Sequence, residues 1–302
     1  MIGNVTLDEI FAVENLPQEG ASIFGTHRHA DLGGKGANQA VMLARCGLPV
    51  RLRAAVGVDP AADIVRSRLA AEPVEADLYR MASAATDRSI ILSDAAGMNV
   101  IVTTTDCARA LRPADALEGL DGAGAGDLMV LQGNLTQDAT KALIQAGRAR
   151  GMRIALNPSP IERWMSDVLS GVDFAFVNEA EAEFMTGTRG EAAVTAMRGA
   201  GAAAVVLTSG ERGALLGYGG DIAHVPARRT EIADTTGAGD TFQSVALASA
   251  LRRGGPLSAE DLELAAVAAS LTVSRFGSVS AMPTIEEMGA ILDLSLAAGQ
   301  AS

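Results

Sequence analysis

Short apolar runs alternate with longer amphipathic segments through the second half of the chain, and this pattern restricts the possible folds more than any other feature. The apolar runs predict buried strands at 128–131, 153–157, 174–177 and 204–208. Segments with helical periodicity lie at 137–150, 179–186 and 190–200. Strands that alternate with helices build a mostly parallel sheet with helices on both faces. We therefore predict a three-layer α/β fold that binds ligands beyond the carboxyl ends of its strands.

The first third of the chain predicts shorter elements. Strand patterns occur at 1–5, 10–13, 22–24 and 51–56, and a helix is predicted at 61–71. Two further strand patterns, at 88–92 and 98–104, predict a hairpin with its turn at 95–97. These pieces do not follow the strand–helix alternation of the second half.

The length of 302 residues suits one large α/β domain over residues 1–302 or two smaller domains. Apolar residues make up 48% of the chain and charged residues 20%, as in soluble proteins with a large core. The net charge is −12, and Lys35 and Lys141 are the only lysines, which argues against a nucleic-acid surface. No apolar run reaches membrane-spanning length and no signal-peptide pattern is present, so we expect a cytoplasmic protein without membrane contact. Cys46 and Cys107 lack metal-site spacing and are expected to be buried thiols.

A glycine-rich turn, Gly237-Ala238-Gly239-Asp240, precedes a helical pattern that runs to about residue 251. Small residues allow close approach of a ligand, and the free N–H groups of a first helical turn attract an oxyanion. Asp240 adds a carboxylate that is suited to take a proton from a hydroxyl attacking a phosphate. The alternative is a plain turn in which Asp240 is an ordinary carboxylate at a helix start.

The same four residue types recur at 124–127. There, Asp127 leads into the apolar run 128–131, which predicts a strand and therefore no set of converging N–H groups. We interpret Asp127 as a loop residue and Asp240 as the functional one.

A second glycine-rich loop, 33–38, also precedes a helical pattern. Gly34 exposes backbone N–H, and Lys35 and Asn38 offer donors for hydroxyl groups. Asn38 alternatively is a first-turn helix residue without a ligand. The loop is not a Walker P-loop, because His29 stands where that motif needs a glycine. A dinucleotide fingerprint near the N-terminus is also missing.

Polar residues follow several predicted strands. Because ligands bind at these strand ends, the following are candidate site residues: Asp8, Gln132, Asn157, Asn178, Thr208 and Asp240. Asn178 and Glu181 are spaced to order a hydrated Mg²⁺, whereas Glu179 is expected to be an ordinary acid of a helix start. Thr208 and Gly210 suit nucleotide contact, and the alternative for them is a plain turn between strands.

Two of these stretches resemble family signatures. The run 33–40 (GGKGANQA) and the run 234–242 (DTTGAGDTF) look like the two signatures of the ribokinase-like (PfkB-type) carbohydrate kinases. The run 178–181 (NEAE) resembles their Asn-x-x-Glu motif, and the resemblance extends from Gly3 to Pro283. It implies a ribokinase-like α/β domain with a small β lid, formed from residues of about 9–32 and 86–104.

The resemblance also implies roles for individual residues. Asp240 would be the catalytic base, and the N–H groups of Gly237, Ala238, Gly239 and Asp240 would form an anion hole. The sugar would be bound by Asp8, Gly34, Lys35 and Asn38. The nucleotide would contact Asn178, Glu181, Thr208, Gly210 and Gly213, with Glu181 organising Mg²⁺ through water. Asp234 and the backbone around Thr236, Thr272 and Gly277 would hold a monovalent cation, as in relatives that use K⁺. Lids of this family also often pair two subunits, which implies a homodimer.

One departure bears on the substrate. Ribokinases usually carry Glu where Gln132 stands and Asn where Thr6 stands. Gln132 is predicted to reach the sugar, so that ribose is not the best substrate and Gln132→Glu shifts preference toward ribose. The alternative is that Gln132 packs behind the pocket.

The resemblance thus implies an enzyme that uses ATP and Mg²⁺ to phosphorylate a hydroxymethyl group of a small sugar. A site for K⁺ is implied as well, because some relatives use that cation. The alternatives are a kinase for a nucleoside or a non-ribose sugar, and a non-catalytic sugar- or nucleotide-sensing protein.

Overall fold

The computed structural model describes residues 1–94 and 99–299. Its strands are β1 (Thr6–Val13), β2 (Gly25–Gly33), β3 (Arg51–Val56), β4 (Glu75–Arg80), β5 (Arg88–Ser93), β6 (Asn99–Thr103), β7 (Leu128–Gln132), β8 (Arg153–Asn157), β9 (Phe174–Asn178), β10 (Ala204–Thr208), β11 (Ala214–Tyr218) and β12 (Asp221–Val225). Its α-helices are α1 (Lys35–Arg45), α2 (Pro60–Leu69), α3 (Asp106–Ala110), α4 (Pro113–Leu117), α5 (Gln137–Ala149), α6 (Glu179–Thr186), α7 (Gly190–Gly199), α8 (Ala238–Arg253), α9 (Ala259–Val273) and α10 (Ile285–Gly299).

The central sheet has the strand order β12-β11-β10-β9-β8-β7. Strands β7 to β10 are parallel, whereas β11 and β12 continue the sheet as antiparallel strands. The first residues of the chain extend it, because Ile2 N–H donates to Val130 of β7 and Gly3 N–H to Arg53 of β3. The parallel pair β3–β4 is thereby joined to the main sheet. The carboxyl ends of the parallel strands therefore lie along one edge.

Two hydrophobic layers cover the faces of this sheet. Along β7, the side chains of Met129 and Leu131 enter the core under α5, and that of Val130 enters the core under α1 and α8. This period of two is expected of a strand buried on both faces. Helices α8 and α9 pack on the same side as α1, which brings the two glycine-rich loops together at the carboxyl edge.

A separate four-stranded sheet is built from the two segments that the sequence identifies as lid candidates. Its order is β2-β1-β5-β6, with β1 antiparallel to β2 and parallel to β5. Apolar side chains remain exposed on it, namely those of Ile90, Val100, Ile101 and Val102. Ile90, Val100 and Val102 share one face of this sheet, whereas Ile101 points to the other face with Ile91. A cluster of exposed apolar side chains on one face is typical of a surface that contacts another molecule.

The predicted α/β class is confirmed, whereas several individual elements differ from the prediction. Strand β1 begins at Thr6 and is longer than predicted, whereas 22–24 precedes β2 instead of forming a strand. Strand β4 was not predicted, because four of its six residues are charged or Tyr and none of its side chains is fully buried. The predicted hairpin turn at 95–97 lies outside the described residues. In the described ranges, none of the helices has both the length and the apolar character to cross a membrane.

Candidate active site

The turn before α8 forms the centre of the site. Gly237 adopts a left-handed conformation with φ of 75°, and the first helical hydrogen bond runs from Thr241 N–H to Gly237 O at 2.9 Å. The N–H groups of Gly239 and Asp240 precede that bond, and a Cβ at Gly239 would meet no atom within 4 Å. Ala238 N–H differs from the expectation, because it donates to Thr235 O at 3.3 Å. The open N–H groups are thus those around Gly239.

Asp240 is buried, with 6% of its surface exposed. Its Oδ2 accepts from Asn38 Nδ2 at 3.0 Å, and its Oδ1 accepts from Gln39 Nε2 at 2.8 Å. Both donors lie in the first turns of α1, which packs against α8. Each carboxylate oxygen keeps a further lone pair, so Asp240 can still accept a proton or a hydroxyl hydrogen bond.

Three buried glutamines continue this hydrogen-bond network. A carboxylate only accepts, so Gln39 must turn its NH₂ toward Asp240 and its Oε1 away from it. That Oε1 accepts from Gln132 Nε2 at 2.8 Å and from Gln243 Nε2 at 3.4 Å. The direction of every donor in the chain of amides therefore follows from the charge on Asp240.

The structure places Gln132 behind Gln39, which favours the alternative that Gln132 packs behind the pocket. Its side chain is 0% exposed and donates to Gln39 and to the sulfur of Met1. Its Oε1 packs against Gly3, where a Cβ would overlap it. The approach of Gly3 holds the amide behind Gln39, as in the alternative interpretation.

Asn38 offers an acceptor beside the base. Its Nδ2 is bonded to Asp240, whereas its buried Oδ1 has no hydrogen-bond partner among the residues the structure describes. A buried carbonyl oxygen left without a donor is costly unless a ligand supplies one. This oxygen is suited to a hydroxyl donor at the position of a substrate.

A cleft of about 80 Å³ adjoins the turn. It brings together predicted residues from four separate segments: Lys35, Asn178, Glu181, Thr208 and Gly239. Asn157, Phe176, Val177, Phe242 and Gln243 complete its lining. A larger cavity, of about 440 Å³, lies around Met1 and Asp127 at the opposite end of the strands. We assign the site to the smaller cleft, because it contains the polar strand ends of the parallel sheet.

Asp127 is a turn residue, as expected. It accepts from Gly124 N–H at 2.9 Å and is exposed, and the residues after it form β7. It therefore lacks the helix start that accompanies Asp240.

Asn178 and Glu181 form a reciprocal cap at the start of α6. Asn178 Oδ1 accepts from Glu181 N–H, and Glu181 Oε2 accepts from Asn178 N–H, each at 2.9 Å. This capping box fixes both side chains at the cleft and leaves Glu181 Oε1 available. Glu179 instead pairs with Arg212, whose hydrogen bond lowers the pKa of the Glu179 carboxyl.

Two further predicted residues, Gly210 and Gly213, lie in the turn after Thr208. Both have positive φ, of 55° and 88°, and Gly213 O accepts from Ser209 N–H. The turn connects β10 to β11, and of these residues only Thr208 lines the cleft.

Asp8 lies in β1, with its carboxylate against Gly33 of the glycine-rich loop 33–38. It is 4% exposed and accepts from Thr6 Oγ1 and from Ser278 Oγ, each at 2.6 Å. Burial raises the pKa of the Asp8 carboxyl, and the hydroxyls of Ser278 and Thr6 oppose that rise. Gly33 packs on the carboxylate, where a Cβ would overlap it, and a Cβ at Gly34 would lie 2.9 Å from Thr6 N. These two positions therefore require glycine.

The residues predicted to hold a monovalent cation are close together. Asp234 Oδ1 accepts from Thr236 N–H and Oγ1, and its Oδ2 lies 3.4 Å from Gly277 N. Asp234 is 6% exposed and forms no ion pair in the described part of the chain. Thr272 is fully buried, with its hydroxyl 3.0 Å from that of Thr241. A buried carboxylate without a counter-ion fits a cation.

Other candidate metal ligands do not gather. Across residues 1–94 and 99–299, no group of three or more His, Cys, Asp or Glu side chains could hold a metal ion. Cys46 and Cys107 are separate buried thiols, as expected.

Sequence reasoning missed Gln39, Gln243 and Ser278. Gln39 belongs to the first signature, but nothing in the sequence reveals that it contacts Asp240.

Comparisons with known proteins identify the family of this chain. Residues 1–285 match the pfkB family of carbohydrate kinases. The chain is 29% identical over 292 residues to the ribokinase of Bacillus subtilis, covering 97% of this chain and 98% of that protein. It is 28% identical over 303 residues to the deoxyribokinase of Salmonella typhimurium, covering 98% of each. The structure of Arabidopsis thaliana ribokinase complexed with ribose and ATP has a TM-score of 0.82 at 25% identity, with 96% and 97% covered.

The fold and the site therefore define a phosphotransferase with a sugar alcohol group as acceptor. The chain belongs to the pfkB family of carbohydrate kinases. This confirms the predicted family, fold and enzyme class.

Proposed function

We propose that this chain transfers the γ-phosphoryl group of ATP to a hydroxymethyl group of a small sugar. The observation that carries the proposal is the position of Asp240, which Asn38 and Gln39 hold at the N-terminus of α8. A base and a set of free N–H groups then face the same turn. Positioning and electrostatic stabilisation are what phosphoryl transfer demands of a protein.

The sugar would lie between the two glycine-rich loops. Asp240 would take the proton of the attacking hydroxyl, and Asn38 Oδ1 would accept from another hydroxyl. Asp8, Gly34 and Lys35 would bind the remaining hydroxyls. This arrangement uses the unpaired acceptor of Asn38 and the buried carboxylate of Asp8.

The anion hole would be formed by Gly237, Gly239 and Asp240, with a smaller part for Ala238, whose N–H has a partner. Preorganised N–H groups stabilise charge on the transferred phosphoryl group without reorganisation. The open space at Gly239 supports approach of the phosphate to the backbone.

The nucleotide would lie along the cleft past Asn178 and Thr208, with Gly210 and Gly213 beside it. Glu181 fits the part of a Mg²⁺ organiser, because its carboxylate is buried in the cleft with one oxygen uncommitted. Mg²⁺ bound through water would neutralise phosphate charge.

A monovalent cation such as K⁺ would be held by Asp234 and by carbonyls around Thr236, Thr272 and Gly277. Since Gly237 follows Thr236 directly, the cation would support the conformation of the anion hole. Replacing K⁺ by tetramethylammonium at constant ionic strength should lower kcat/KM, and an unchanged kcat/KM would remove the cation from the proposal.

The four-stranded sheet is proposed to act as a lid and as a dimer interface. Lid closure would exclude water from the reacting phosphate. The exposed side chains of Val100 and Val102, on one face of β6, support pairing with a second copy, since 40% and 64% of their surfaces are exposed. Light scattering should give a dimer mass that Val102→Lys reduces to the monomer; a monomeric wild type would contradict pairing. The proposed enzyme is cytoplasmic and binds neither nucleic acid nor membrane.

The experiment that tests the function is an ADP-release assay with D-ribose, 2-deoxy-D-ribose, other pentoses, hexoses and nucleosides. Sugar-dependent ADP release that Asp240→Asn abolishes would support the proposal. Release with nucleosides alone would favour the nucleoside kinase, and binding of sugar or ATP without any turnover would favour the sensing protein. The ribokinase and deoxyribokinase relatives make the two pentoses the first to assay.

A further inference from the structure

Two buried carboxylates of the four-stranded sheet contact one short loop after α9, residues 277–281. Asp8 of β1 and Asp31 of β2 are paired directly in the antiparallel register. Ser278 donates its hydroxyl to Asp8 Oδ2 at 2.6 Å, whereas Ser280 donates its hydroxyl to Asp31 Oδ2 at 2.7 Å. Two serines of one loop thus donate hydrogen bonds to two neighbouring carboxylates.

The rest of the loop is fixed on Asp31. The N–H groups of Ser278 and Ser280 donate to Asp31 Oδ2 at 3.1 and 3.0 Å. Asp31 also accepts from Leu32 N–H and lies 3.5 Å from Arg68 Nη1. Asp31 therefore anchors the loop through several donors, and the hydroxyl of Ser278 is the part of the loop that acts on Asp8.

The same loop touches the turn before α8. Gly277 N–H lies 3.4 Å from Asp234 Oδ2. A Cβ at Gly237 would lie 3.1 Å from Met282 Cε and 3.8 Å from Ser278 O. The loop thus borders the Asp8 carboxylate, which is proposed to bind the sugar, on one side and the proposed anion hole on the other.

Asp8 depends on hydroxyl donors. Its charged form is disfavoured by burial and by the negative charge of Asp31, and Ser278 and Thr6 oppose both effects. A carboxylate accepts from sugar hydroxyls more strongly when it is ionised and fixed in direction. Loss of one donor should therefore weaken sugar binding even where the fold survives.

We propose that Ser278 is a positioning residue that holds the Asp8 carboxylate in place for a sugar hydroxyl. Through it, the loop 277–281 connects the sugar site with the turn at Gly237. The inference rests on the proposed function, because it takes Asp8 as a ligand of the sugar. A purely structural role would instead make Ser278 equivalent to Ser280, which bonds the neighbouring carboxylate.

The test compares Ser278→Ala with Ser280→Ala, its matched control from the same loop. Calorimetry would measure the Kd of D-ribose and 2-deoxy-D-ribose without ATP, and kinetics would separate sugar KM, ATP KM and kcat. Ser278→Ala should raise sugar Kd and KM about tenfold, as expected for one charge-assisted hydrogen bond, with ATP KM changed less than about twofold. Thr6→Val, which removes the other short hydroxyl contact to Asp8, should act in the same direction.

Ser280→Ala should lower Tm while sugar Kd stays within about twofold of wild type. Equal changes in sugar Kd for the two serine variants, or no change for Ser278→Ala, would overturn the inference.

A double-mutant cycle of Tm values tests the Ser278–Asp8 contact in the absence of sugar. If wild type neither binds nor phosphorylates any sugar, the proposed function fails, whereas the coupling of Ser278 to Asp8 is still measurable. The Tm loss caused by Ser278→Ala should be smaller in an Asp8→Asn background. Additive Tm losses would show that Ser278 does not act on Asp8, and would overturn the inference independently.

Discussion

Gln39 donates its Nε2 to Oδ1 of Asp240 across 2.8 Å, although 201 positions separate the two residues in the chain. The contact joins the N-terminal part of α1 to the first turn of α8, and each helix follows its own glycine-rich loop. The two signature stretches are therefore halves of one site. Gln39 and Asn38 each donate to one oxygen of the Asp240 carboxylate. The unpaired Oδ1 of Asn38 lies beside that carboxylate.

The first prediction concerns the base. Asp240→Asn keeps the size of the side chain and loses proton abstraction, so kcat should fall by about 10²–10⁴-fold. Asp127→Asn is the matched control, because it changes the same residue type in the same four-residue sequence. It should retain kcat within about twofold of wild type, in accordance with the small effect of most exposed substitutions. Activity that survives at Asp240→Asn and is lost at Asp127→Asn would reverse the assignment.

The second prediction concerns the amide network. Gln39→Met removes the donor to Asp240 with little change in volume, so kcat should fall roughly 10- to 100-fold for every sugar. Gln132→Glu should also lower kcat for all sugars, because an ionised Glu at this position cannot donate to Gln39 Oε1. This replaces the sequence-based expectation of a shift toward ribose. Steady-state kinetics of Gln132→Glu with D-ribose and 2-deoxy-D-ribose distinguish the two expectations. A changed ratio of kcat/KM between the two sugars would indicate that Gln132 contacts the sugar directly.

The third prediction concerns stability and pH at Asp8. The folded-state pKa of Asp8 is raised by burial. Its contribution to stability is therefore fully present below the unfolded pKa, near 3.9, and is lost as pH rises through the folded pKa. The Tm of Asp8→Asn relative to wild type should thus increase from about pH 4 toward neutrality, although sugar binding is lost. Thermal unfolding across that pH range measures this difference, with Asp127→Asn as the charge control. A Tm difference between Asp8→Asn and wild type that stayed constant with pH would contradict the prediction.

The fourth prediction concerns the two thiols. Burial raises the pKa of Cys46 and of Cys107 to about 12, and their exposures are 2% and 0%. The thiolate is the reactive form, so both residues should resist a disulfide reagent in the native protein at pH 8. Reaction should follow unfolding in denaturant and release two equivalents. Complete reaction within minutes under native conditions would contradict the burial of these residues.

Features that arise from local residue patterns could be predicted from the sequence alone. Apolar runs of strand length alternating with helical periods specify the parallel sheet, and glycines before helical segments specify the two loops. These signals predicted Asp240, Asn38, Lys35 and the strand-end residues Asn178 and Thr208, several of which meet in the cleft. Strand β4 escaped prediction because its polar residues give no burial pattern.

Tertiary structure decided the contacts between distant segments. Gln39 reaches Asp240 only because α1 and α8 pack side by side, and Ser278 reaches Asp8 across 270 positions. Gln132 ends strand β7, a position typical of a substrate residue. The close approach of Gly3 and the hydrogen bond that Gln132 donates to Gln39 Oε1 nevertheless hold its side chain in the core. Local periodicity fixes which residues face the carboxyl edge of the sheet. Which of them touch each other depends on helix packing and on the pairing of buried donors and acceptors, and neither is encoded within a single segment.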